Sequence, residues 1–270
     1  MDAARFYGHE RHQDFWLGEG PRRALLVHGF PGTPAELRAL GGWLAARGFR
    51  VHAPLLPGFG ADIPNLGKTR RAAWLGAARR AWEALREGQG AQTVLLGFSM
   101  GGALALQVAA RGAPPDKLVL LAPFWRLRDP RARWLPALQY AVRELRPFEN
   151  TDFSASTVRA QFARLEPSLD LDDPAVQEAL RTQVALPTSA LVELQRLGAE
   201  AYRAAPRVRA PALVIQGLDD DTVAATDTRR LALRLGGPVT LFEVPGSHHL
   251  IAPGGPEFAG LCERLERELL

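Results

Sequence analysis

TVLLGFSMGG, residues 93–102, decides how the rest of the chain is read. Val94, Leu95 and Leu96 form an apolar run bounded by turn residues, the pattern of a strand buried on both faces of a parallel sheet. The run stops at Gly97-Phe98-Ser99-Met100-Gly101, and ALALQVAA at 103–110 then reads as a buried helix. Strand, G-x-S-x-G, helix is the pattern of a nucleophile elbow. On so tight a turn, side chains at 97 or 101 would strike neighbouring backbone. The turn lifts the Ser99 hydroxyl off the strand end and sets it at the N-terminus of the next helix, where developing negative charge is favoured.

Working outward toward the N-terminus, RALLVH at 23–28 reads as a second buried strand, ending in Gly29-Phe30-Pro31-Gly32. Thr33, Pro34 and Glu36 then mark a helix start, with Thr33 as cap, Pro34 at the first helical position and Glu36 completing a capping box. Leu37, Leu40, Trp43 and Leu44 give that helix an apolar face, and Gly48 ends it. Residues 49–53 form the next strand. The Pro/Gly-rich loop PLLPGFGADIPNLGKT, 54–69, is long enough to suggest substrate contact. A helix over about 70–86 follows, with Trp74, Ala78, Trp82 and Leu85 at helical spacing. Ahead of all this, Phe15-Trp16-Leu17 and the turn at 18–21 suggest a short antiparallel edge hairpin.

Toward the C-terminus, KLVLLA at 117–122 is another buried strand. Strand and helix have alternated strictly up to here, which demands a mostly parallel sheet with helices on both faces. Residues 124–206 break the alternation with helix formers, prolines and aromatics and no convincing strand. Helices start at Asp173-Pro174 and Thr188-Ser189, and Leu191, Leu194 and Leu197 form a stripe. The reading is a helical cap, 124–206, inserted into a core made of 1–123 and 207–270; crossover helices with long loops are the alternative. Alternation resumes with a strand at 212–217, a helix at 227–235, a strand at 239–244 and a helix at 256–270.

A serine hydroxyl needs a base to take its proton and a third group to orient that base. In such a sheet these belong on loops past the carboxyl ends of strands. Asp219-Asp220-Asp221 follows the strand at 212–217, and Ser247-His248-His249 follows the strand at 239–244. The resulting order, Ser, Asp, His, is the one expected with an elbow serine. An oxyanion hole completes the set. The N–H of Met100 is one donor, and that of Phe30, in the loop after the earlier strand, is the other.

Bulk composition narrows the field further. The chain has 270 residues, 47% apolar and 23% charged, with a formal net charge of +4. Its basic residues are scattered among acids without a stripe of interleaved aromatics, which argues against nucleic-acid binding. The single cysteine, Cys262, excludes an internal disulfide framework and reads as a buried small hydrophobe. No segment resembles a signal peptide or approaches membrane-spanning length, so a cytoplasmic protein without stable membrane insertion is expected. His9, His12 and His52 lack metal-ligand spacing, and no dinucleotide fingerprint is present; neither a metal nor a cofactor is expected.

VHGFPGTPAELRALGGWLAARGF, PLLPGFG, LLGFSMGG, QGLDDDTV and PGSHHLI together resemble, in sequence and order, the α/β-hydrolase superfamily. Within it the chain looks like the small bacterial carboxylesterases and monoacylglycerol lipases that carry a short helical cap. The resemblance runs from about Leu25 to the C-terminus and is weakest across 124–206. It implies an α/β-hydrolase fold and a serine esterase acting on short- to medium-chain acyl esters or monoacylglycerols. Other chemistry with the same triad (thioester, lactone or C–C hydrolysis, acyl transfer, cofactor-free peroxidation) or a ligand receptor is the alternative. The family pattern G-x-x-D-x-x-V falls on Gly217, Asp220 and Val223 and makes Asp220 the acid, with Asp219 and Asp221 as neighbours in reserve. It puts His249 in the catalytic slot. His248 stands where the family usually has glycine, as a rim residue or as the base in place of its neighbour. Phe30, Trp125, Trp134, Phe148 and Phe153 are candidates for an apolar acyl pocket.

Overall fold

Adjacent residues of each central strand enter different hydrophobic cores. In β2 (Arg22–Val27) Leu25 and Val27 join one core, and Ala24 and Leu26 the other. The same division holds in β4 (Thr93–Phe98), β5 (Lys117–Leu121) and β8 (Ala212–Gly217), where Leu95, Leu120 and Val214 oppose Leu96, Leu121 and Ile215. Side chains alternate across a strand, so a sheet covered on both faces requires apolar residues at every position. Each fully buried Leu or Val contributes roughly 1.5–3 kcal/mol relative to exposure.

The computed structural model describes residues 9–87, 92–156, 158, 159, 162, 170–248 and 250–270. With β1 (Phe15–Leu17), β3 (Phe49–Ala53) and β9 (Val239–Val244), the main sheet runs β1-β3-β2-β4-β5-β8-β9. Every neighbouring pair is parallel except β1 with β3. One face is covered by α1 (Arg38–Ala45) and α8 (Pro256–Leu269). The other is covered by α2 (Arg71–Arg86) and α3 (Met100–Arg111).

Between β5 and β8 lie α4 (Leu135–Leu138), α5 (Pro174–Gln183) and α6 (Thr188–Ala204). The Asp173 carboxylate caps α5 by accepting from the Ala175 N–H at 2.8 Å, as the Asp-Pro start predicts. α6 falls within the expected insertion, yet its Ala190, Leu194, Leu197 and Ala201 are buried in the main core against α3. The stretch ahead of it has small cores of its own, one of them formed by Phe153, Phe162 and Leu171. A two-residue ladder, β6 (Glu144–Leu145) with β7 (Leu186–Pro187), ties the start of this segment to the start of α6. Nothing in the sequence points to it, because two residues carry no period.

Other expectations are corrected. β1 does not fold back on its successor; it pairs antiparallel with β3, Trp16 opposite His52, so residues 15–21 are not a hairpin. The helix expected over 227–235 is α7 (Ala225–Ala232) and begins a half-turn earlier. The capping box at Thr33 does not form. Residues Pro34–Leu37 make a 3-10 turn, and Thr33 gives no side-chain cap. Its hydroxyl pairs with His12 Nδ1 at 2.9 Å, and the Glu36 carboxylate turns to the preceding loop.

The parallel register brings the C-terminal ends of the strands to one edge. Val27 lies beside Gly97, Phe98 beside Leu121, and Gly217 beside Val244. The loops that follow them meet there.

Candidate active site

Ser99 has φ 51° and ψ −116°, a backbone conformation that side chains rarely adopt. Hydrogen bonds hold it there from both sides. Its N–H donates to Leu121 O at 2.9 Å, and its carbonyl accepts from Gly102 N at 2.9 Å and Phe124 N at 3.1 Å. The flanking glycines are obligatory. A Cβ on Gly97 would lie 2.2 Å from Gly101 O, and one on Gly101 would lie 1.9 Å from Val27 O. Ser99 is 6% exposed and directly precedes the first residue of α3, Met100, whose side chain is buried in the core.

The three adjacent carboxylates after β8 have three different partners. Asp219 Oδ2 accepts from Gly246 N at 3.2 Å and so holds the loop after β9. Asp221 is exposed; its Oδ1 accepts from the Thr222 hydroxyl at 3.2 Å, and its backbone carbonyl from Arg128 Nη1 at 2.9 Å. Asp220 points inward. Its Oδ1 accepts from the Thr222 and Val223 N–H groups at 2.8 and 2.7 Å. Its Oδ2 accepts from His248 Nδ1 at 2.7 Å and from Gln216 Nε2 at 3.0 Å. Burial pushes this carboxyl upward, but His248, the Val223 N–H and Gln216 outweigh it and hold Asp220 below the usual range.

The ring on Asp220 is thus that of His248, where the resemblance pointed one residue further, to His249; His249 lies outside the described residues. The turn supplies a reason for the offset. Gly246 has φ +125°, and a Cβ on Gly217 would lie 2.5 Å from both Gly246 O and Ser247 O. The chain leaving β9 therefore crosses directly over the end of β8, and the next residue, 248, reaches the acid. The His248 ring also lies 4.9 Å from that of Phe98, the residue before Ser99, tilted by 40°. This brings the acid, the imidazole and the elbow to one corner of the sheet.

Gln216 was not foreseen. Its Nε2 also donates to Gly217 O and Val223 O, and its Oε1 accepts from the Thr228 hydroxyl. A glutamine on an all-apolar strand with both faces covered was the available signal, since a buried amide needs partners.

On the other side of Ser99 is the loop after β2. A Cβ on Gly29 would lie 3.3 Å from Ser99 Cβ, so Phe30 follows a residue with room for little more than a hydrogen beside the elbow. The Phe30 ring packs edge-on against Phe59 at 5.8 Å and Trp74 at 6.4 Å. His28, wholly buried, donates from Nδ1 to Gly29 O at 2.9 Å and accepts the Leu56 N–H at Nε2 at 3.2 Å. Burial lowers its pKa to about 4, against the Gly29 hydrogen bond, so the ring is neutral and ties this loop to the loop after β3.

The structure does not gather the candidate pocket aromatics in one place. Phe148 and Phe153 pack with Phe162 inside the small core ahead of α5. Trp134 is 61% exposed. Trp125 stacks on Tyr202 at 4.2 Å and donates from Nε1 to Asp227 O, while Arg126 forks onto the Asp227 carboxylate. These contacts fasten the start of the inserted segment to α7 and α6. Among the described residues, no group of three or more His, Cys, Asp or Glu is arranged to hold a metal ion. No helix among them is long and apolar enough to cross a membrane.

Comparison with known proteins agrees with this fold. Residues 24–258 match the model of the alpha/beta hydrolase family. The chain is 29% identical over 214 residues to a thermostable monoacylglycerol lipase of Bacillus sp. (strain H-257), covering 78% of this chain and 75% of that one. It is 24% identical to a carboxylesterase of Bacillus subtilis (strain 168), over 77% and 76% of the two chains. Among solved structures, a metagenome-derived lipolytic enzyme superposes with a TM-score of 0.77 at 22% identity, covering 96% and 97% of the two chains.

Proposed function

We propose that this chain, which belongs to the alpha/beta hydrolase family, is a serine carboxylic-ester hydrolase. The observation that carries the reading is the Asp220–His248 hydrogen bond of 2.7 Å beside the strained elbow of Ser99. In the proposed reaction Ser99 Oγ attacks the acyl carbonyl, and His248 Nε2 takes the proton that leaves the hydroxyl. Asp220 keeps the proton of His248 on Nδ1 and stabilises the imidazolium that forms. The Phe30 and Met100 amides receive the oxyanion, Phe30 from the loop after β2 and Met100 from the first residue of α3, directly after Ser99.

His248 then protonates the departing alcohol, and the acyl group remains on Ser99. A water enters, gives its proton to His248 and attacks the acyl carbon; collapse returns the proton to Ser99 and releases the acid. Every step uses the chain's own groups and water. The two Bacillus relatives support a carboxylic ester, a monoacylglycerol or a simple alkyl ester, as the substrate class. The segment from Phe124 to α6 is the proposed cap, with α6 as its fixed base in the main core.

Purified protein tested on p-nitrophenyl esters of increasing chain length, on monoacylglycerols and on a thioester series checks the proposal. Hydrolysis of short- to medium-chain esters, lost in Ser99→Ala with thermal stability nearly intact, is the expected result. Ester turnover that survives Ser99→Ala, or hydrolysis confined to thioesters, would overturn it.

A further inference from the structure

Glu36 has no part in the mechanism above, and its sequence role as a capping-box residue is not fulfilled. Its carboxylate is instead inserted into the loop that follows β2. Oε1 accepts the Gly29 N–H. A Cβ on Gly32 would lie 2.4 Å from Glu36 Oε2 and 2.7 Å from its Cδ. One on Gly29 would lie 3.3 Å from Oε1 and, on its other side, 3.3 Å from Ser99 Cβ. The carboxyl therefore fills the hollow of residues 29–32, one residue-width from the elbow. A side chain at 32 would displace the carboxyl from this position, and one at 29 would crowd it.

Although Glu36 as a residue is partly exposed, its carboxyl is enclosed by the loop. Burial lifts it to about 7, with the Gly29 N–H pulling the other way. Such a group is costly to place beside an oxyanion site unless it organises something there. What it organises is the donor set. Holding the Gly29 N–H withdraws that amide from the elbow and fixes the peptide ahead of it. The next amide, that of Phe30, is the one left for a developing oxyanion.

We infer that Glu36 is a positioning residue for oxyanion stabilisation, its carboxyl bracing residues 29–32 from inside so that the Phe30 N–H is set for the transition state formed on Ser99. This rests on the reading of Ser99 as nucleophile and Phe30 as an oxyanion donor.

The test uses Glu36→Gln, Glu36→Asp and Glu36→Leu in the full chain. Gln keeps an acceptor of the same shape for the Gly29 N–H; Asp withdraws it by one methylene; Leu removes it. The readouts are kcat and KM for a p-nitrophenyl ester, and Ki for an alkyl trifluoromethyl ketone, which forms a hemiketal on an active serine and places an oxyanion in the hole. Ki does not depend on the fraction of folded enzyme. Expected results are a kcat lowered roughly 10- to 100-fold in Asp and Leu with KM nearly constant, Ki weakened in step, and rescue to within ~5-fold by Gln. If Leu fails to fold, Asp carries the test. An unchanged Ki in folded Glu36→Asp, or a Gln variant as impaired as Leu, would overturn the inference. If the unaltered protein forms no reversible complex with the ketone and turns over no ester, the reading of Ser99 itself fails, a result distinct from either.

Discussion

Asp220 and His248, 28 residues apart in the chain, meet through an Oδ2–Nδ1 hydrogen bond of 2.7 Å beyond the ends of two adjacent parallel strands. The carboxylate is not free to turn away from the ring. Both of its oxygens are engaged, Oδ1 by two backbone N–H groups and Oδ2 by Gln216 as well as the imidazole. An acid fixed in this way holds one tautomer of its histidine, and several consequences can be measured.

Gln216→Leu removes a donor from Asp220 and strands the Thr228 hydroxyl in the interior. Unsatisfied buried groups of this kind cost about 1–3 kcal/mol each, so the variant should lose roughly 2–4 kcal/mol in urea unfolding. It should also turn over more slowly at unchanged KM. A variant as stable and as fast as the original would show that the amide supports neither the fold nor the acid.

Glycine substitutions should divide sharply by place. Gly101→Ala drives a methyl to within 1.9 Å of Val27 O and is expected to cost more than about 4 kcal/mol, enough to prevent recovery of folded protein. Gly42→Ala, within α1 and with nothing near the added carbon, should gain about 0.5–1 kcal/mol. Thermal melts of the two decide this, and a tolerated Gly101→Ala would contradict the elbow geometry.

Glu193 of α6, 1% exposed, accepts from the Arg71 backbone N–H at 3.0 Å and from the Arg71 and Arg196 guanidinium groups at 2.9 Å each. Because both arginines reach solvent, Glu193→Ala should cost only about 1–3 kcal/mol. Hydrogen exchange in α6 should quicken ahead of the central strands. Uniform exchange across the sheet and α6 would mean that the bridge does not set the local stability.

Two buried groups beside the elbow link stability to pH in opposite senses. His28, near 4 against 6.5, contributes stability present above pH 6.5 and lost as pH falls toward 4. Glu36, about 7 against 4.5, contributes stability present below pH 4.5 and lost as pH rises through 7. Glu36→Gln removes only the second. Its stability relative to the unaltered protein should therefore rise from pH 4.5 to 7 and level off above that. A constant difference across the window in urea melts would contradict a carboxyl held protonated by burial.

The sequence made the sheet and elbow legible because steric demands there leave few options. Apolar residues at every position mark a doubly covered strand, and Gly97 and Gly101 flank the serine because no side chain fits. Asp220 could be singled out by resemblance, yet nothing in three consecutive aspartates says which turns inward; the N–H groups of Thr222 and Val223 decide it. Two adjacent histidines carry no sign of which ring meets the acid; that His248 does so depends on the turn at Gly246, while His249 lies outside the described residues. The capping box expected at Glu36 does not form for a related reason. A capping box is local, whereas the partner that Glu36 takes belongs to a loop shaped by the elbow. The aromatics of 124–206 were legible as apolar mass but not as neighbours, because their packing depends on contacts far apart in the chain.

Whether Ser99 is a nucleophile activated by His248 is decided by the rate and site of labelling with a fluorophosphonate, mapped by tandem mass spectrometry. One adduct per chain is expected on Ser99, formed roughly 10³-fold more slowly in His248→Ala and at nearly the original rate in His249→Ala. An adduct on another residue, or labelling that survives His248→Ala and fails in His249→Ala, would contradict that assignment.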